Sequence, residues 1–217
     1  MTSAATTRSM YEAMLDALGP SDWWPGDTPF EVMVGAILTQ NTNWTNVEKA
    51  ISNLKEHDLL APFQMAELPL NDLAELIRPA GYYNVKARRL ANLLNFLKNE
   101  VAYDIQALKE YPLHALRPKL LSINGIGPET ADSILLYALE KPSFVIDAYT
   151  FRMMSRHGFV FEGMEYHELQ TLFMDALPED VATYNECHAL IVRIGKQWCK
   201  KRNPLCQTCP LKDYLTN

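Results

Sequence analysis

The chain is 217 residues long, 48% apolar and 21% charged, with a formal net charge of −6. That is enough polymer for one compact body or two small lobes. It has no apolar run of the roughly 18 residues that span a bilayer, and its acidity argues against a protein that coats duplex DNA through phosphate neutralisation. The opening residues MTSAATTRSM are polar, lack a secretory pattern and are expected to fray, so a cytoplasmic location follows.

In chain order, Met10, Met14, Leu15 and Leu18 recur at helical spacing and predict a helix from Ser9 to Leu18. Gly19-Pro20-Ser21-Asp22 breaks it, and Trp23-Trp24-Pro25-Gly26 reads as a loop. Further helices are expected at Phe30 to Thr39, Thr45 to Leu54, Asn71 to Ile77 and Asn84 to Asn99, each closed by Pro, Gly or polar residues. Then follow Ile105 to Leu108, Pro112 to Leu120, Pro128 to Leu139, Tyr149 to His157, Tyr166 to Leu177 and Val181 to Trp198. No alternating run long enough for a sheet is present, so the expected class is all-α.

The stretch from Pro118 to Arg152 carries the chemistry. Gly125-Ile126-Gly127 lies between an apolar helix end and a helix opened by Pro128, a residue suited to a position that needs no amide hydrogen. The amides of Gly125 and Gly127, beside the positive end of that helix, could face a phosphate and grip DNA without reading its sequence. Downstream, Asp147 stands among Val145, Ile146, Tyr149 and Phe151 at a helix entrance. Taken alone, such an Asp is a helix cap. Two basic clusters, Lys86/Arg88/Arg89 and Lys196/Lys200/Lys201/Arg202, are solvated faces taken singly and a focused DNA contact when combined with the hairpin.

LLSINGIGPETADSILLYAL followed by VIDAYTFR resembles the helix-hairpin-helix and Asp-bearing loop of the endonuclease III superfamily of DNA base-excision glycosylases. The step from Glu129 to Asp147 equals the family's step from its catalytic Lys to its Asp. Bifunctional members form a Schiff base with that Lys, whereas Glu129 cannot form an imine. The WWP segment, TQNTNW and RPAGYYNVKARRL look most like the 3-methyladenine DNA glycosylases of endonuclease III type.

The resemblance implies two helical lobes with an active-site cleft between them. One is a helical barrel over 28–139, with the helix-hairpin-helix at about 115–139. The other joins 1–27 to 140–217 and ends in a cysteine loop at 199–209. It implies Asp147 as the carboxylate that stabilises an oxocarbenium-like sugar and orients water. Trp23, Trp24, Pro25 and Trp44 would form an aromatic slot for a flat cationic base. Gln40 and Tyr82 would fill and wedge the gap left by an extruded nucleotide, with Gly125, Gly127, Lys86 and Arg88 on the DNA backbone. The position where adenine-mismatch enzymes carry an acid is Ala36, which disfavours that substrate.

Cys199, Cys206 and Cys209 have C-x6-C-x2-C spacing, which matches three ligands of the superfamily's four-iron four-sulfur cluster. The fourth position is Leu215, and Cys187 lies about 18 Å away along one helix. Asp213, Tyr214 or the terminal carboxylate could close the site, zinc could replace iron, or the cluster could be lost. Bound metal would hold the Lys200-Lys201-Arg202 loop toward DNA.

Three functions are open on this basis. The leading one is a monofunctional DNA N-glycosylase for alkylated purines, a monomer acting on damaged double-stranded DNA at the nucleoid. The second is a bifunctional glycosylase/lyase for oxidised pyrimidines that uses another amine, such as Lys86. The third is a noncatalytic DNA-binding module.

Overall fold

The computed structural model describes residues 3–21, 23 and 26–215. It is all-helical, with no strand among the described residues, and no described helix is long and apolar enough to cross a membrane. The chain divides into two compact units, one made of Met1–Trp23 with Pro142–Asn217 and the other of Trp24–Lys141.

In the first unit, α1 (Ser3–Leu18) begins well before the expected Ser9. The polar opening that was expected to fray is instead helical from Ser3. Thr7 and Met10 are buried, Thr7 Oγ1 donates to Ser3 O at 3.0 Å, and Arg8 Nε donates to Ala176 O at 2.9 Å. Docking thus overrides the weak helix propensity of Ser and Thr.

The second unit opens with α2 (Pro29–Leu38), where Thr28 accepts from Glu31 N and Pro29 takes the first helical position. Then come α3 (Trp44–Glu56), α4 (Pro62–Ala66), α5 (Leu70–Leu76), a 3-10 turn at Arg78–Ala80, α6 (Tyr83–Val101), α7 (Ile105–Lys109), α8 (Leu113–Leu121) and α9 (Pro128–Ser133). The helix expected to run unbroken to Leu139 changes to a π-helical turn at Ile134–Ala138, closed by Leu139 N on Ile134 O. All five residues of that turn are buried, and it packs on α2. Arg117 of α8 grips the fully buried Asp132 of α9 through Nε and Nη2, at 2.8 and 2.9 Å, which clamps the two helices of the hairpin together.

The first unit resumes with α10 (Ala148–Arg156), α11 (Tyr166–Ala176) and α12 (Val181–Gln197). Helix α1 packs on α11 and α12, and α10 packs on α12. Phe144 stacks on Phe173 at 4.4 Å and meets Tyr184 edge-on, so the extended segment before Asp147 is anchored by aromatic rings.

Candidate active site

Asp147 is the N-cap of α10, and its side chain is 13% exposed. Its Oδ1 accepts from Thr150 N at 2.7 Å and from Thr150 Oγ1 at 2.9 Å. Its Oδ2 faces His188 Nε2 of α12 at 3.6 Å. Burial pushes the carboxyl up, but the neighbouring His188 and the two Thr150 bonds outweigh it and hold Asp147 below the ordinary carboxylate range. One oxygen of the carboxylate is therefore consumed by the helix end, and the other is turned toward an imidazole.

Helix α12 positions this corner. Its Gly195 lies so close to Tyr149 that an added Cβ would stand 2.2 Å from the ring. Arg152 lies over that ring at 4.9 Å and donates to Cys199 O at 2.7 Å, beyond the C-terminal end of α12. Along the same helix, Glu186 accepts from Ser21 N and Ser21 Oγ at 2.8 and 2.7 Å, and Arg193 donates to Leu18 O and Gly19 O. Asn185 Nδ2 reaches Trp23 O at 3.5 Å, and Trp23 is exposed. One helix thus fixes both the carboxylate and the chain leading to Trp23. Trp24 and Pro25 lie outside the described residues.

The second unit holds the other expected residues. Trp44 opens α3 half-buried, with its six-membered ring against Gly35 of α2. Ala36 is the one residue of α2 between Phe30 and Leu38 that is not buried. Gln40 Nε2 donates to Gly125 O at 3.1 Å and to Thr130 Oγ1 at 2.9 Å, while its Oε1 accepts from Arg89 Nη1. Gly125 has φ +96, and the Arg89 side chain crosses where a Cβ would be. Gly127, the N-cap of α9, faces open space, and Glu129 is exposed in the first turn of that helix. Tyr82 is 72% exposed on a left-handed backbone, at φ 48 and ψ 30.

Lys86 departs from the expected DNA contact. It is buried, and its Nζ donates to Leu38 O and Ala80 O, both at 2.8 Å. That amine closes the end of α2 from inside, so the exposed charge of the cluster belongs to Arg88.

The cysteine loop is pinned by α10. Arg156 donates to Cys199 Sγ at 3.0 Å and to Lys200 O at 2.6 Å. Cys199, Cys206 and Cys209 line one small cavity with Arg156 and His157. Burial raises the Cys209 thiol, and the other two thiols add to the effect. Three sulfurs suit three corners of an iron–sulfur cluster, but among the described residues a fourth donor is not in place, and the terminal carboxylate lies outside them. Leu215 is apolar, both His157 nitrogens face carbonyl oxygens, Tyr214 Oη donates to Ser9 O, and Asp213 is exposed. Among the described residues, no three His, Cys, Asp or Glu side chains converge closely enough to hold a metal ion.

His188, Asn185 and Glu186 escaped the sequence reading. Their only signal was the interruption of an otherwise apolar helix by polar side chains.

Comparison with known proteins accounts for both units. Residues 34–179 match the HhH-GPD superfamily of base excision DNA repair proteins, and residues 199–214 match the iron–sulfur binding domain of endonuclease III. A Methanocaldococcus jannaschii protein, whose name assigns it provisionally to the DNA repair glycosylases, is 50% identical over 206 residues, covering 94% of this chain and 93% of that protein. The H. pylori 3-methyladenine DNA glycosylase MagIII, solved bound to 1,N6-ethenoadenine, superposes with a TM-score of 0.76 at 30% identity, covering 91% of this chain and 98% of that one. A trapped endonuclease III–DNA covalent intermediate shares the fold, with a TM-score of 0.84 at 23% identity over 99% and 96% of the two chains. The chain is thus a base-excision DNA glycosylase of the HhH-GPD superfamily.

Proposed function

We propose that this glycosylase is monofunctional and hydrolyses the N-glycosidic bond of alkylated purines, such as 3-methyladenine, in double-stranded DNA. The observation that carries the reading is a largely buried carboxylate, Asp147, held below the ordinary carboxylate range with Oδ2 left free of the helix cap. An anion fixed in this way stabilises the sugar cation as the base departs and directs a water onto it.

Hydrolysis by water is favoured over imine chemistry because Glu129 occupies the hairpin position of the lyase Lys. The alternative amine, Lys86, is buried and engaged with two carbonyls. An alkylated purine already carries positive charge and needs little protonation to leave, which suits an α2 that offers Ala36 where an acid would stand. Indoles such as Trp23 in the first unit and Trp44 in the second are the side-chain type that attracts such a base through cation–π interaction.

Duplex contact would come from the Gly127 end of α9 and from Arg88, with Tyr82 and Gln40 entering the gap of the extruded nucleotide. If iron is bound by the three cysteines, the cluster supplies a structural pin for the Lys200-Lys201-Arg202 loop. The protein would act as a monomer at the nucleoid.

The test is incubation with methylated duplex DNA, chromatography of the released bases, and a gel for strand breaks. Free 3-methyladenine with intact abasic strands is expected. A borohydride-trapped protein–DNA adduct would instead establish the glycosylase/lyase alternative.

A further inference from the structure

We propose that His188 is the positioning residue for Asp147, holding Oδ2 from one side so that its other face is presented to the sugar and the attacking water. The inference rests on reading Asp147 as the reacting carboxylate.

The imidazole sits where an apolar side chain would be expected. His188 is 7% exposed within the run Cys187-His188-Ala189-Leu190-Ile191, where every residue is buried. A leucine would fill the same space without the cost of burying a polar ring. What distinguishes the position is Asp147 Oδ2 at 3.6 Å from Nε2.

That distance is longer than a hydrogen bond. The pairing is therefore one of charge and dipole in the free protein, and it shortens when substrate drives out water, as contacts to reacting groups commonly do. Nor is the register loose. The two helices are locked by Tyr149 against Gly195 and by Arg152 on Cys199 O, while Thr150 fixes Oδ1. With one oxygen held by the cap and the other by His188, the carboxylate has a single orientation before substrate arrives.

The experiment uses the full-length chain with His188→Ala, His188→Gln and Asp147→Asn, alone and combined. Single-turnover release of 3-methyladenine, affinity for lesion duplex and thermal unfolding are measured together. His188→Ala should slow release by about 10- to 100-fold, the scale of a misplaced reacting group, with duplex affinity unchanged. His188→Gln, which offers an N–H from the same direction, should recover most of the rate. In the Asp147→Asn background the His188→Ala step should cost less than about two-fold, because groups acting as a unit are not additive.

Equal losses in both backgrounds, or no loss at all, would overturn the proposal. A substrate-free measurement runs beside it: the 15N resonances of the His188 ring should move on Asp147→Asn. If they stay in place the pairing is wrong, whatever the kinetics. If wild-type protein releases no alkylated base, the proposed substrate fails instead, and the ring spectrum still decides the role of His188.

Discussion

The ring of Tyr149 occupies the space that a side chain at position 195 would need, 2.2 Å from where its Cβ would be. Gly195→Ala must therefore push α10 from α12 or rotate Tyr149, at a cost of about 1–3 kcal/mol for overpacking. A lowered melting temperature is expected, together with slower base release, because the same contact sets the spacing of Asp147 and His188. Activity intact at wild-type stability would show that the two helices adjust freely.

Asp147→Asn should reduce base release by about 100-fold or more while leaving duplex binding in place. The carboxyl of Asp147 lies below its ordinary 3.8, so it stays ionised until the solution is strongly acid. A group with a depressed native value contributes stability above its unfolded value and loses it as pH falls through the native one. Wild type should thus lose its stability advantage over Asp147→Asn only in acid, and base release should not titrate through this group from about pH 5 to 8. Urea unfolding and rate profiles against pH check both.

Gly125 and Gly127 should respond in opposite ways. Gly125→Ala combines a left-handed φ of +96 with a clash against Arg89, and should destabilise the fold by about 1–3 kcal/mol. Gly127→Ala has open space and an ordinary φ of −92, so stability should hold. Its added methyl group would nevertheless stand between backbone amides and any phosphate, so duplex affinity should fall. Denaturation and duplex titration on the same preparations separate the two effects.

Arg88→Ala should reduce the slope of log affinity against log salt by about one charge, whereas Lys86→Met should leave it unchanged. Lys86 should act on the fold instead. Its ammonium is pushed down to about 8 by burial, with Arg89 adding to the effect. The unfolded chain, near 10.5, holds the proton longer, so the native state gains stability as pH rises from about 8 toward 10. Stability curves of wild type and Lys86→Met should therefore diverge over that window, with wild type gaining. Parallel curves would mean that the amine is solvated.

Cys206→Ser should remove any iron, and the visible absorbance with it, while the helical fold persists. Arg152 and Arg156 already fasten Cys199 O, Cys199 Sγ and Lys200 O to α10. Iron analysis and far-UV circular dichroism give the outcome; loss of the fold with the iron would mean that the cluster is the fastening.

The sequence was informative where a residue type has one local use. Pro128 marks the start of α9, and Asp147 caps α10 as its type suggests. It was silent where two distant elements create the meaning. His188 is a lone histidine in an apolar helix until α10 lies beside α12. Lys86 reads as surface charge until its neighbours bury it. Helix α4 has five residues, too few for a periodic pattern, and its Phe63 is exposed. The polar start of α1 is helical because Arg8 reaches Ala176, a partner far along the chain.

Gln40 joins three parts of one unit through a single amide: the end of α2, Arg89 on α6, and the Gly125–Thr130 hairpin. Such a shared knot cannot loosen at one strand alone. If Gln40 left this knot for the base stack, Gly125 O, Thr130 and Arg89 would each lose a partner at the same instant, so its entry would be felt at once in the hairpin and in α6.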